Sequence, residues 1–300
     1  MSNQSKGVLM ALIAAILWGI SGTCGQFLFQ QRGVSVEWLM SVRMLGAGLL
    51  LLIGALLRKD DHVWAIWHHK EDRRKILVFG IFGMLAVQYT YFAAIKHSNA
   101  ATATILQFSA PVLIAVYLAV RYNQRLSRLG YAAILLALLG TFILATHGNI
   151  HKLNISPAAF ALGIASAVSL AFYTLMPATL LQKYSALSVI GWGLFIGGVT
   201  ISLVKAPWNA GGNWDAYACA GCVFIVIFGT LIPFYLYLRA VQCIGGQKAS
   251  LLTSAEPLSA TLVAVLWLGV SFQVMDWIGA SLIIATVFLL AGGKTMNAPE

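Results

Sequence analysis

Long apolar runs separated by short polar breaks make up nearly the whole chain. Ten stretches stand out: 7–29, 35–57, 75–95, 99–120, 127–146, 157–182, 187–204, 214–239, 246–268 and 273–292. Most approach the ~20 residues that a helix needs to cross a bilayer core. They are continuous and longer than the ~10-residue alternating strands of a membrane barrel, so each predicts a helix. One connection, Arg58–Lys75, is long enough to hold structure of its own. Trp64 and Trp67 within it suggest a segment lying in the membrane interface.

Composition narrows the class. Of 300 residues, 60% are hydrophobic and 9% charged, with a mean hydropathy of +0.84. A soluble domain carries about 25% charged residues, so a water-soluble enzyme and a disordered chain are both excluded. Met1–Gly7 followed by an apolar run resembles the start of a signal peptide. No convincing small-x-small cleavage site follows, so the first run is expected to stay in place as a span. Cys24, Cys219, Cys222 and Cys243 lie in or beside apolar runs and form no disulfide framework.

The net charge of +10 sets an orientation. The basic residues sit between apolar runs, as in cytoplasmic loops, and no basic face for nucleic acid is expected. With the N-terminus in the cytoplasm, fourteen Lys and Arg fall on that side and four (Arg32, Lys96, Lys152, Lys205) on the other. Both termini are therefore expected inside, with an even number of spans.

The chain also repeats itself. Tyr89-x-Tyr91-x-x-Ala94, Ala103-x-x-Leu106 and Pro111 recur as Tyr235-x-Tyr237-x-x-Ala240, Ala249-x-x-Leu252 and Pro257, at an offset of 146 residues. Ala15 and Ser35 match Ala165 and Ser185 at 150, and Gly130 matches Gly279 at 149. Five spans per half is an odd number, so the halves must be inverted in the membrane. Inverted repeats are an architecture of secondary transporters, with the binding site near the midplane. The expected fold is an all-α membrane protein, with ten transmembrane helices in two inverted five-helix repeats, residues 1–150 and 151–300.

Trp18-Gly19 in the first span, Arg43 in the second, and the segments Asn99–Pro111 and Gly246–Pro257, the latter ending in Glu256-Pro257, resemble the drug/metabolite transporter superfamily of EamA type. The resemblance covers almost the whole chain as two tandem domains, and hydropathy carries it more than any single residue. It implies export of amino acids or related metabolites from a bacterial inner membrane. The family often has a Glu after the fourth span of each half. Gln124 and Val270 stand nearest those places here, so no role of those acids carries over.

Candidate chemistry lies inside the spans. Glu256 is the one acidic residue well within an apolar run. A carboxylate in hydrocarbon costs at least about 2.5–3.5 kcal/mol, so it should face a cavity, pair, or stay protonated. It is either a proton-coupling site or amine counter-ion, or else a structural partner of Arg239 or Lys248 or a helix cap before Pro257. Arg43, eight residues into its run, is either a carboxylate clamp and ion-pair latch or a snorkelling anchor.

Trp18, Tyr89, Tyr91, Tyr173, Trp192, Tyr235 and Tyr237 supply aromatic faces for an amine or a ring, or else belong to the interfacial belt. Residues i and i+2 of a helix point about 200° apart, so at most one Tyr of each repeated pair faces a cavity. Gln88, Gln107 with Thr104, and the Ser250, Thr253, Ser254 face are candidate polar contacts or helix-to-helix glue. Gly193-x-x-x-Gly197 and the glycines of the first span permit close packing. Pro111, Pro177, Pro233 and Pro257 are candidate hinges.

No HExxH, P-loop or buried Ser/His/Asp set occurs, so neither metal nor cofactor is expected, and no catalysis. The expected activity is secondary transport of a small metabolite by alternating access, by a monomer or homodimer in the lipid bilayer. Transport of a cationic drug or quaternary amine is the alternative. Lipid scrambling or intramembrane catalysis are alternatives of another class.

Overall fold

The computed structural model describes residues 3–122, 128–147, 149, 154–244, 249 and 252–292. Lys152, Lys248, Ser250 and Gln124 therefore lie outside the described residues. Among those described there are helices and no strands. Seven helices are long and apolar enough to span a membrane: α1 (Asn3–Gln31), α2 (Val36–Leu57), α3 (Lys70–His97), α4 (Ala100–Arg121), α5 (Arg128–Thr146), α6 (Pro157–Lys183) and, after the shorter α7 (Ala186–Ser202), α8 (Ala216–Ile244). The shorter α7 and α9 (Ala255–Leu268) have 17 and 14 residues, and α10 (Val274–Gly292) is the last described helix. Large apolar side chains such as Leu135, Leu138, Leu262 and Phe288 are exposed on this bundle, as lipid-facing helices require.

Polar side chains set the helix starts. Ser35, Asn99, Ser156, Ser185 and Asp215 each accept a hydrogen bond from the backbone N–H three residues on, satisfying an orphan donor of the first turn. Three long helices are irregular within. α3 widens to a π-helical turn at Phe79–Leu85, and α8 does so at Ile227–Leu231. α4 breaks at Phe108–Ser109, just before Pro111, whose missing N–H is tolerated at the start of the new segment. The segment between α2 and α3 forms a single helical turn at His62–Ala65. Its Trp64 is exposed, and its Val63 carbonyl accepts a bond from the Trp192 indole at 2.7 Å.

Helix pairing follows a pattern across the two halves. α2 packs on α7, α5 on α10, α1 on α8 and α9, α6 on α3 and α4, and α4 on α9. Among these pairs, adding five to each helix number of the first half and subtracting five in the second returns the same set, whereas the smaller contacts of α1 with α3 and of α4 with α10 have no counterpart of similar extent. The α2–α7 pair runs antiparallel: Leu45 lies by Gly198, Gly48 by Phe195 and Leu52 by Gly191. α5 and α10 also run antiparallel, with Gly140 against Gly279 and Ala133 and Ala137 packed with Leu289. One apolar core joins Phe27, Leu28, Leu39, Phe92 and Ile225. A second joins Met44, Leu52, Phe79, Met84 and Leu194.

Charged pairs tie the ends. Arg32 at the end of α1 meets Asp215 before α8 at 2.8 Å, and Lys183 at the end of α6 meets Asp72 in the first turn of α3 at 3.2 Å. Asp60, after α2, accepts bonds from the hydroxyls of Ser185 and Ser188 at the start of α7 and from the His62 N–H. Partial burial acts to raise its carboxyl, but these hydrogen bonds outweigh it and hold Asp60 below the usual carboxylate range.

Two outcomes are expected from purified protein in detergent. A side chain at Gly48 would meet the Phe195 backbone nitrogen at 2.6 Å, whereas one at Gly54 meets nothing. Gly48→Leu should cost on the order of 1–3 kcal/mol and lower the thermal midpoint; Gly54→Ala should leave it unchanged or slightly raised. Because Asp60 has a depressed folded-state value, its contribution is present above about pH 4 and is lost as pH falls through that value. Wild-type thermal midpoints should thus fall with acidification, and Asp60→Asn should be less stable near pH 7 yet converge with wild type in acid.

Candidate functional site

The glycine-rich stripe of α1 lets its neighbours approach closely. Gly19 lies against the backbone of Glu256 and Ala260 in α9, Gly22 against the Tyr91 hydroxyl, and Gly25 against the Phe92 ring of α3. The Thr23 hydroxyl bridges to the Ala260 carbonyl at 3.3 Å. Two helices, α3 and α9, thus approach α1 closely, and α8 packs on it as well. Charged side chains from α2 and α9 enter at this convergence.

Arg43 is 5% exposed. Its Nε donates to the Thr230 hydroxyl at 2.6 Å and its Nη2 to the Gly229 carbonyl at 3.4 Å, both in the π-turn of α8. Its guanidinium carbon lies 4.7 Å from the centre of the Phe92 ring, a cation–π contact. Nη1 is buried without a hydrogen-bond partner. Glu256 occupies the first turn of α9, where the helix N-terminus favours an anion. Arg43 and Glu256 lie within electrostatic reach of each other and of Tyr91, yet do not close to an ion pair.

Polar groups surround this charge pair. The Tyr91 hydroxyl bonds the Thr104 hydroxyl of α4 at 2.8 Å. One turn further along α4, Gln107 donates to Ser166 of α6 at 2.6 Å. Gln88, one turn before Tyr91 and Phe92 on the same face of α3, is 8% exposed, and both atoms of its amide lack a partner. Ser254 and Ser21 are likewise buried with unpartnered hydroxyls. A buried polar atom left unsatisfied costs about 1–3 kcal/mol. Such atoms lie on α1, α2 and α3 and at the start of α9, and others occur at Trp67 and Ser109. Among the described residues no cluster of His, Cys, Asp and Glu is arranged to hold a metal.

An aromatic group adjoins it. Trp18, one turn before Gly22 on α1, packs edge-on to Phe234 at 5.4 Å and against Tyr237 at 5.6 Å. Tyr173 of α6 lies near Tyr237 and stacks on Phe79 at 5.7 Å. The structure places Arg43, Tyr91 and Glu256 within reach of one another and Trp18, Tyr173 and Tyr237 in a separate aromatic group; Gln88 lies buried on the helix of Tyr91, Ser254 just before the helix of Glu256, and Gln107 bridges α4 to α6. It places three other candidates elsewhere. Tyr89 turns away to Glu37 at 3.1 Å. Tyr235 is exposed beneath Arg58, on the outside of α8. Trp192 anchors the Val63 carbonyl among Trp64 and Trp67. The sequence reading did not single out Thr230, Gly229, Phe92, Ser21 or Ser166. Three of these are a hydroxyl residue within an apolar run, a pattern that gives some signal, but Gly229 and Phe92 give none.

Comparison with known proteins agrees with this architecture. The chain matches the EamA-like transporter family over residues 5–146 and again over 158–292. It is 42% identical to the uncharacterized inner membrane transporter YicL of Salmonella typhimurium, covering 97% of each chain. It is 26% identical over 73% of each chain to a protein of Streptantibioticus cattleyicolor named as a probable terminal-alkyne amino-acid exporter. A solved crystal structure shares the fold at a TM-score of 0.64 and 19% identity, over 94% of this chain and 96% of its own. An all-helical bundle with apolar spans, a buried charged centre and two family matches in tandem lead to one assignment: this chain is an integral membrane protein of the EamA-like transporter family, within the drug/metabolite transporter superfamily.

Proposed function

We propose that this transporter is a secondary carrier that exports small zwitterionic metabolites, amino acids above all, by alternating access. The observation that carries the reading is the pair Arg43 and Glu256, opposed in charge and not in contact, among unpartnered polar atoms and aromatic faces. A zwitterion presents a carboxylate for the free Arg43 donor and an ammonium for Glu256. A single buried Arg does not suit a polyanion such as a nucleotide sugar. The relative named as an amino-acid exporter is consistent with this class.

In this reading ten helices cross the membrane as two inverted five-helix repeats, residues 1–150 and 151–300. The exchange symmetry of the helix pairs, the antiparallel α2–α7 and α5–α10 contacts, and the π-turns in both α3 and α8 support it. Both termini lie in the cytoplasm and the membrane is the bacterial inner membrane; the excess of Lys and Arg on one side and the inner-membrane relative support this placement. Glu256 takes up and releases a proton as the site opens to each side, so that the proton gradient drives export. A second reading, transport of a quaternary amine, is favoured by the Trp18, Phe234 and Tyr237 rings.

Reconstitution into liposomes tests both. Labelled amino acid should exchange, and an imposed pH gradient should accelerate net flux. Glu256→Gln should retain exchange and lose the gradient response. Arg43→Ala should weaken apparent amino-acid affinity by about 10- to 100-fold, the loss expected for a hydrogen bond to a charged group. Flux indifferent to the gradient removes the proton step, and counterflow with a quaternary amine but no amino acid establishes the second reading.

A further inference from the structure

The outer surface of the bundle carries a crevice whose lining includes neither Arg43 nor Glu256. It lies between α2, α7 and α8, has a volume of about 250 Å³, and is lined by Leu50, Gly54, Leu187, Leu231 and Tyr235, with Arg58 among the lining residues. Gly54 has nothing within 4 Å of where a side chain would begin, so the absent Cβ leaves room in the α2 wall. Leu50 and Tyr235 are exposed, which in a membrane-spanning bundle means exposed to lipid.

Arg58 makes this crevice more than an apolar face. It caps the C-terminus of α2, and so lies where the apolar run gives way to the polar connection. Its guanidinium carbon sits 5.4 Å from the Tyr235 ring centre, which holds the long side chain over the crevice. It forms no ion pair with a described carboxylate. Asp60, two residues on, is already engaged by Ser185, Ser188 and His62, and Asp72 by Lys183 and Tyr184. The connection from α2 to α3 and the first turns of α3 carry Lys59, Lys70, Arg73, Arg74 and Lys75 beside Asp60, Asp61, Glu71 and Asp72, a slight excess of positive charge. An apolar trough ending in a guanidinium that has no carboxylate partner among the described residues is complementary to an acyl chain joined to a phosphate.

We propose that this crevice binds one anionic phospholipid, its acyl chain along Leu50, Leu187 and Leu231 and its phosphate on Arg58. The Leu231 wall belongs to the same π-turn whose Gly229 and Thr230 hold Arg43. The bound lipid would therefore brace that turn from outside.

Native mass spectrometry of the full chain, delipidated and then titrated with defined lipids, tests the assignment. Phosphatidylglycerol should bind with one tight site, and phosphatidylcholine and diacylglycerol more weakly, separating the anionic headgroup from the acyl chain alone. Glycerol phosphate should not compete at the same concentration, separating lipid from free phosphate. Arg58→Ala should lower phosphatidylglycerol retention about tenfold, as for loss of one charge-assisted contact. A Cβ at Gly54 meets nothing within 4 Å, so Gly54→Leu extends a side chain into the trough and should lower it comparably. Normal thermal midpoints for both variants without lipid establish that they fold, and Lys205→Ala, on another connection, should bind as wild type. Equal retention of phosphatidylglycerol by wild type, Arg58→Ala and Gly54→Leu, or equal binding of all three lipids, overturns the proposal.

Discussion

A guanidinium in the middle of a lipid-embedded bundle must be solvated by protein, and the arrangement of helices around Arg43 follows from that requirement. A charge at that depth is expensive. Thr230, the Gly229 carbonyl and the face of Phe92 replace part of the lost hydration. These partners come from α8 and α3, while Arg43 comes from α2, so the solvation shell exists only once the two halves of the chain have packed. The glycines of α1 let α3 and α9 come close enough for Tyr91 and Glu256 to share the same region.

The same economy of shape recurs between the halves. Glycine contacts hold α2 to α7 and α5 to α10 at backbone distance, which replaces the hydrophobic drive that lipid does not supply. Around that frame the pairs Arg32–Asp215 and Lys183–Asp72 join the end of one helix to the start of another in corresponding places. Each pair links a residue of the first half to one of the second. The frame is thus stitched at its ends as well as along its length.

Much of the fold was legible in the sequence because lipid imposes a simple rule: backbone groups must be paired internally, so long apolar runs become helices. Nine of the ten runs match their helices to within about five residues at each end, while the ninth, 246–268, begins nine residues before α9 and lies partly outside the described residues; the Ser35 and Ser185 match reappears as two helix caps. The breaks within helices were less legible. No residue type in Phe79–Leu85 or Ile227–Leu231 announces a π-turn, since the extra residue per turn arises from packing. In the site, the i and i+2 spacing tells that Tyr89 and Tyr91 diverge, but only the contact of Tyr91 with Gly22 tells which one turns to α1. The seat of Arg43 was beyond reach for a plainer reason: Thr230 lies 187 residues away, and no local pattern joins them.

The wide turn at Ile227–Leu231 has a geometric consequence for everything after it. A regular helix rotates by about 100° per residue, so one residue more or less in that turn would swing Phe234 and Tyr237 about a quarter-circle around the axis of α8. Trp18 would lose both ring neighbours, while the residues before the turn kept their places. The bulge therefore acts as a register mark between two halves of one rod, letting the segment that meets Arg43 and the segment that meets Trp18 be aimed separately.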